Sequence, residues 1–162
     1  MHAKAQPRTK VDRTQTTGAT KAGYARSVCL PAKDAAAALA DAKSAFGLEG
    51  FGVVAEIDFR DTLQRKLDKD IGPYWVLEIC NPNLADRALA ADRKAGLLMP
   101  CKVAVWQEGK DAVVAVLRPE VAVEVTGNDK LTAIAHEAER HIERALVRLE
   151  APDRQLAVTE DV

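Results

Sequence analysis

Residues 101–117 read CKVAVWQEGKDAVVAVL, two valine-rich runs, Cys101 to Trp106 and Ala112 to Leu117, joined by Gln107-Glu108-Gly109-Lys110-Asp111. Two β-favouring runs separated by a short polar loop containing glycine predict a β-hairpin. A hairpin is antiparallel, so this pair sets the direction of the sheet built around it. Upstream, Tyr74 to Cys80 (YWVLEIC) is nearly continuous in apolar residues and predicts a central strand. Before it, Phe51, Val53, Ala55, Ile57 and Phe59 alternate with Gly52, Val54, Glu56 and Asp58, which predicts a strand with one buried face. Tyr24 to Leu30, closed by Pro31, reads as a short first strand. Val121, Val123 and Val125 alternate with Glu120, Ala122 and Glu124 and predict a further edge strand.

Helical periodicity fills the gaps between strands. Ala35, Leu39, Ala42 and Phe46 share one face of a helix over residues 32–46, ended by Gly47 and Gly50. Leu63 and Leu67 form an i, i+4 pair in a short charged helix between Asp58 and Lys69. Asn81-Pro82-Asn83 starts a helix over Leu84 to Ala91, which Gly96 ends. Asn128 or Asp129 caps the last helix, whose stripe is Leu131, Ile134, Ala135, Ala138, Ile142, Ala145, Leu146 and Leu149. The order predicts an α+β fold: a mainly antiparallel sheet, two long helices packed on one face, and short helical insertions. It is not a βαβ nucleotide fold.

Composition bounds the function. The chain has 162 residues and is 48% hydrophobic, but 29 residues are alanine, so large core side chains are fewer than the percentage suggests. No apolar run approaches the ~18–20 residues of a membrane-spanning helix. Aromatic residues make up 4%, too sparse for a platform that stacks single-stranded bases. Lys4, Arg8, Lys10, Arg13, Lys21 and Arg26 stand against Asp12 alone in residues 1–26, a net +5, so the remaining residues sum to −6 from the overall −1. Residues 1–22 therefore read as a disordered basic leader, residues 23–150 as one α+β domain, and residues 151–162 as a flexible tail. The leader lacks a signal-peptide core, although its acid-poor start resembles an organellar transit peptide. The acidic domain argues against specific nucleic-acid binding. Three cysteines without a secretory signal point to thiols in a reducing, cytoplasmic setting.

Motifs for chemistry are few. His136 and His141 are five residues apart, about 140° around a helix, and so cannot share a metal as an i, i+4 pair does. Gly50-Phe51-Gly52 lacks the third glycine and following helix of a phosphate loop. No hydrolase motif, metal-ligand spacing or cofactor signature occurs. Cys80-Asn81-Pro82 and Met99-Pro100-Cys101 do stand out. If the two strands pair antiparallel, Cys80 and Cys101 meet at one edge of the sheet, with Cys80 just before a helix N-terminus that favours a thiolate. Buried cysteine is also an ordinary small hydrophobe, and that reading stands beside the first.

The run Gly50 to Asp58, then Cys80-Asn81-Pro82, Leu84-Ala85, Ala88-Leu89 and Gly96-Leu97-Leu98-Met99-Pro100-Cys101, resembles the Domain of Unknown Function 302 family over residues 24–150. Cys29 and the basic leader lie outside that pattern. The resemblance implies a β-α-β4-α domain of the TATA-binding-protein-like class, often a homodimer, with no assigned reaction. Together these readings predict a dimeric module without established catalysis that binds a small ligand or a protein partner, with no cofactor. Val54 and either Tyr74 or Trp75 would sit on apolar sheet surface that the helices leave uncovered. The alternative is a thiol-dependent redox or soft-metal-handling protein using Cys80 and Cys101, with Asn81 orienting the ligand.

Overall fold

The computed structural model describes residues 23–151. Five strands form one antiparallel sheet in the order β1-β5-β4-β3-β2: β1 Ala25–Leu30, β2 Gly52–Asp58, β3 Tyr74–Cys80, β4 Cys101–Glu108 and β5 Asp111–Leu117. The helices are α1 Ala35–Leu48, α2 Phe59–Leu67, α3 Pro82–Ala91, α4 Glu120–Thr126 and α5 Thr132–Glu150. The α+β reading holds. The leader reading, residues 1–22, and the tail reading, residues 151–162 apart from Ala151, lie outside the described residues.

Pleating explains the layers, because alternate residues of a strand face opposite sides. Val28 and Leu30, Leu77 and Ile79, Val103 and Val105, and Ala112, Val114 and Val116 are all buried in one cluster. Against them lie Ala35, Ala38, Leu39, Ala42 and Phe46 of α1 and Ile142, Ala145, Leu146 and Leu149 of α5. Alanine explains how two helices share one sheet face, since small side chains let backbones approach closely. Asp34 caps α1 by accepting from the Ala36 and Ala37 amides at 2.9 and 3.3 Å. At the other sheet end, Gln107 accepts from the Ala35 amide at 2.7 Å and donates to the Lys33 and Asp111 carbonyls, tying α1 to the hairpin.

Several local expectations are corrected. β4 and β5 run on to Glu108 and Asp111, so a two-residue turn, with Gly109 at φ 63°, replaces the five-residue loop. Residues 120–126, expected as an edge strand, are helix α4; it ends where Gly127 takes φ 60°. Val123, partly buried, packs against Ala88, Ala95 and Leu131, and this packing overrides valine's strand preference. α3 ends at Ala91, and Gly96 lies within a separate 3-10 turn, Arg93–Leu98.

The single buried face expected for β2 is also absent. A bulge between Val53 and Ala55 reverses the alternation, so Glu56 pairs with Leu77 on the helix side while Ile57 pairs with Val76 on the open side. Lys43 of α1 meets Glu56 there as an ion pair. Val53, Val54 and Ile57 remain exposed at 41%, 61% and 37%. Trp75 faces the helices and packs on the core, whereas Tyr74 lies on the open face, so only the Tyr74 alternative fits uncovered apolar surface.

Candidate functional site

The end of β3 becomes the start of α3 through one side chain. Asn81 is the N-cap, its Oδ1 accepting from the Asn83 and Leu84 amides at 3.2 and 3.4 Å, and Pro82 follows at the first helical position. Register places Cys101 directly opposite Ile79, so Cys80 and Cys101 come to the same end of the sheet. There, Cys80, Asn81 and Cys101 line one cavity of about 90 Å³. Ala85 and Ala88 of α3, Ala122 of α4, and Ile134, Ala135 and Ala138 of α5 supply other parts of its wall. No charged residue lines it.

The turn from α1 into β2 closes one side. Gly50 takes φ 83°, and a Cβ there would come within 3.0 Å of Asn81 Nδ2, so this glycine serves close approach rather than phosphate binding. Phe51 lines the cavity and packs edge-on against Phe46 and His141, with centroids 6.2 and 6.3 Å away. Burial pushes the Cys101 thiol up to about 11, and the neighbouring Cys80 and Glu139 add to the rise against the opposing pull of Lys102. Cys101 is therefore a protonated thiol at neutral pH, a weak donor on an apolar wall and a poor nucleophile. Cys29 lies on edge strand β1, opposite Val113, rather than in this wall.

Sequence reasoning located Cys80, Asn81 and Cys101 but missed the opposing wall. Leu131, Ile134, Ala135 and Ala138 belong to the stripe predicted for the last helix, which helical periodicity assigns to sheet-covering core. Part of that stripe instead packs with α3 and α4. The available signal was length: the apolar stripe runs further than the sheet it would cover.

His136 and His141 do not meet. His136 stands 3.6 Å from Glu120, while His141 and Arg144 approach Glu49 at 3.1 and 2.8 Å. Arg148 also reaches Glu49, at 3.2 Å. Burial pushes the Glu49 carboxyl up, but bonds from Arg144, His141 and Arg148 outweigh it and hold the group below its ordinary value. Its contribution to stability is therefore present at neutral pH and is lost as pH falls through and below the ordinary carboxylate range. Glu49→Gln is expected to cost about 1–3 kcal/mol at pH 7 and to flatten the acid limb of a stability-versus-pH curve. An acid limb matching wild type would show that Glu49 does not carry this dependence.

Among the described residues, no group of three or more His, Cys, Asp or Glu side chains is placed to hold a metal ion. No described helix is long and apolar enough to cross a membrane. No curated protein matches the chain. A solved structure similar to it, described as uncharacterized conserved protein DUF302 from Bacillus stearothermophilus, shares 26% identity over 79% of this chain and 99% of that chain, with a TM-score of 0.74. Residues 27–149 match the family model Domain of unknown function DUF302, and the chain belongs to that family.

Proposed function

We propose that the protein is a non-catalytic binding module, that the cavity between the β3–β4 end and helices α3, α4 and α5 takes a small apolar ligand, and that it works as a homodimer in the cytoplasm. The cavity carries the ligand reading. Protein interiors pack to crystal-like density, whereas this recess of about 90 Å³, partly open to solvent, leaves apolar side chains unpacked that a ligand would bury. Methylenecyclopentane, added to the full chain, is expected to shift the amide NMR signals of Ala88, Ala135 and Ala138 and to raise the melting temperature. Ala135→Leu, filling the cavity, should abolish those shifts while leaving the fold intact. Unmoved signals at the probe's solubility limit would remove the ligand reading.

The homodimer reading rests on the uncovered sheet face. Ile57, Val76, Ala104, Ala115 and Ser27 form one row across all five strands, opposite the core. Beside it, Tyr74 stacks on Trp106 with centroids 5.8 Å apart. Lys102 on that face pairs with Glu78 at 2.8 Å, which leaves little attraction for a polyanion. Five strands ~4.8 Å apart, each about six residues long, span roughly 500 Å² in projection. Side-chain relief raises the accessible area toward the ~800 Å² each partner buries in a stable dimer. Light scattering at micromolar concentration should give twice the 17.5 kDa chain mass, and Val76→Arg should return the single-chain mass. A wild-type mass of 17.5 kDa throughout would remove the dimer.

A further inference from the structure

The polar wall of the cavity narrows the ligand's chemistry. Asn81 has one amide, and its orientation is set by the fold. Oδ1 accepts from the two amides that open α3, so Nδ2 is directed away from them. A flipped amide would present a donor to two donors. No hydrogen bond from Nδ2 is made among the described residues; Asn81 is the one polar side chain on the cavity wall, and Gly50, outside that wall, packs closely beside the amide, where a Cβ would stand 3.0 Å from Nδ2. Every other lining side chain is a hydrocarbon, a thioether or a thiol, and the Cys101 thiol is protonated. A charged ligand would lose its hydration here and find no counter-charge. A pure hydrocarbon would fit the apolar wall and leave Nδ2 unused.

We propose that the ligand is a small uncharged molecule, mostly hydrocarbon, whose single hydrogen-bond acceptor, a carbonyl oxygen, is received by Nδ2 of Asn81. This rests on the ligand reading of the cavity given above. The space, about 90 Å³ and partly open to solvent, suits a small ring such as a five-membered one.

The test uses two probes of one shape, cyclopentanone and methylenecyclopentane, titrated into the full chain and followed by amide chemical shifts. Asn81→Asp keeps an oxygen to cap α3 but removes the Nδ2 donor, and Asn81→Ser caps without a charge, its shorter side chain carrying a hydroxyl donor away from the Nδ2 position. Both variants should weaken cyclopentanone about five- to tenfold, the scale of one hydrogen bond, and leave methylenecyclopentane within about twofold. The variant-to-wild-type ratio for each probe cancels their different affinities for water. Equal changes for both probes, or an unchanged ketone, would overturn the carbonyl assignment while the ligand reading survives. If neither probe binds wild type, the ligand reading itself fails and this assignment with it.

Discussion

Phe46→Ala is expected to lower stability by about 3–5 kcal/mol, a large share of the ~5–15 kcal/mol that holds a domain of this size together. Phe46 is fully buried near the end of α1 and meets Phe51 edge-on. Truncation removes a large aromatic volume, and the surrounding β-branched residues and alanines have few rotamers with which to fill it. Phe51, which closes the cavity, loses its support in the same step. Urea unfolding should show a lower midpoint at nearly unchanged m-value. Leu48→Ala, two residues later in the same helix and 61% exposed, should cost under about 0.5 kcal/mol. Similar losses at both positions would show that α1 does not pack as described.

The second large effect is at Cys101. A thiol pushed up to about 11 holds more than a hundredfold less thiolate near neutral pH than an ordinary thiol at ~8.5. Alkylation of Cys101 in the folded protein should be slower by at least that factor and should recover fully in denaturant. The sign for stability follows from proton binding. The folded state keeps the proton to higher pH than the unfolded chain, so stability is intact below about pH 8.5 and falls as pH rises toward 11. The loss reaches about 3 kcal/mol by the top of that window. Cys101→Ala should remove this alkaline dependence. Rapid labelling of native Cys101 at pH 7 would instead restore the thiol-chemistry reading, which nothing in the geometry favours.

The strands were legible where local pattern and tertiary environment agree. Tyr74–Cys80 is recovered to the residue because both its faces favour apolar side chains, and Asn81-Pro82 marks the α3 start because capping is a local interaction. The valines at 121, 123 and 125 misled because alternation cannot report that Val123 packs against Ala88, Ala95 and Leu131 rather than in a sheet. β2 misled because one bulged residue inverts the phase of every residue after it, and no local signal marks the bulge.

By itself, the sequence determined most of the secondary elements, α4 excepted, the antiparallel sheet, the two covering helices and, given antiparallel pairing, the placing of Cys80, Asn81 and Cys101 at one end. All of these follow from period-2 and period-3.6 patterns, caps and hairpin spacing, which act over a few residues. Only the tertiary structure decided that α4 and the first half of α5 wall a cavity over those three residues, and that Gly50 packs beside the Asn81 amide. It also set Glu49 among Arg144, His141 and Arg148, more than ninety residues away. These depend on how far an apolar stripe overhangs the sheet and on which side chains meet across layers. Periodicity carries the face of each helix but not what that face will meet.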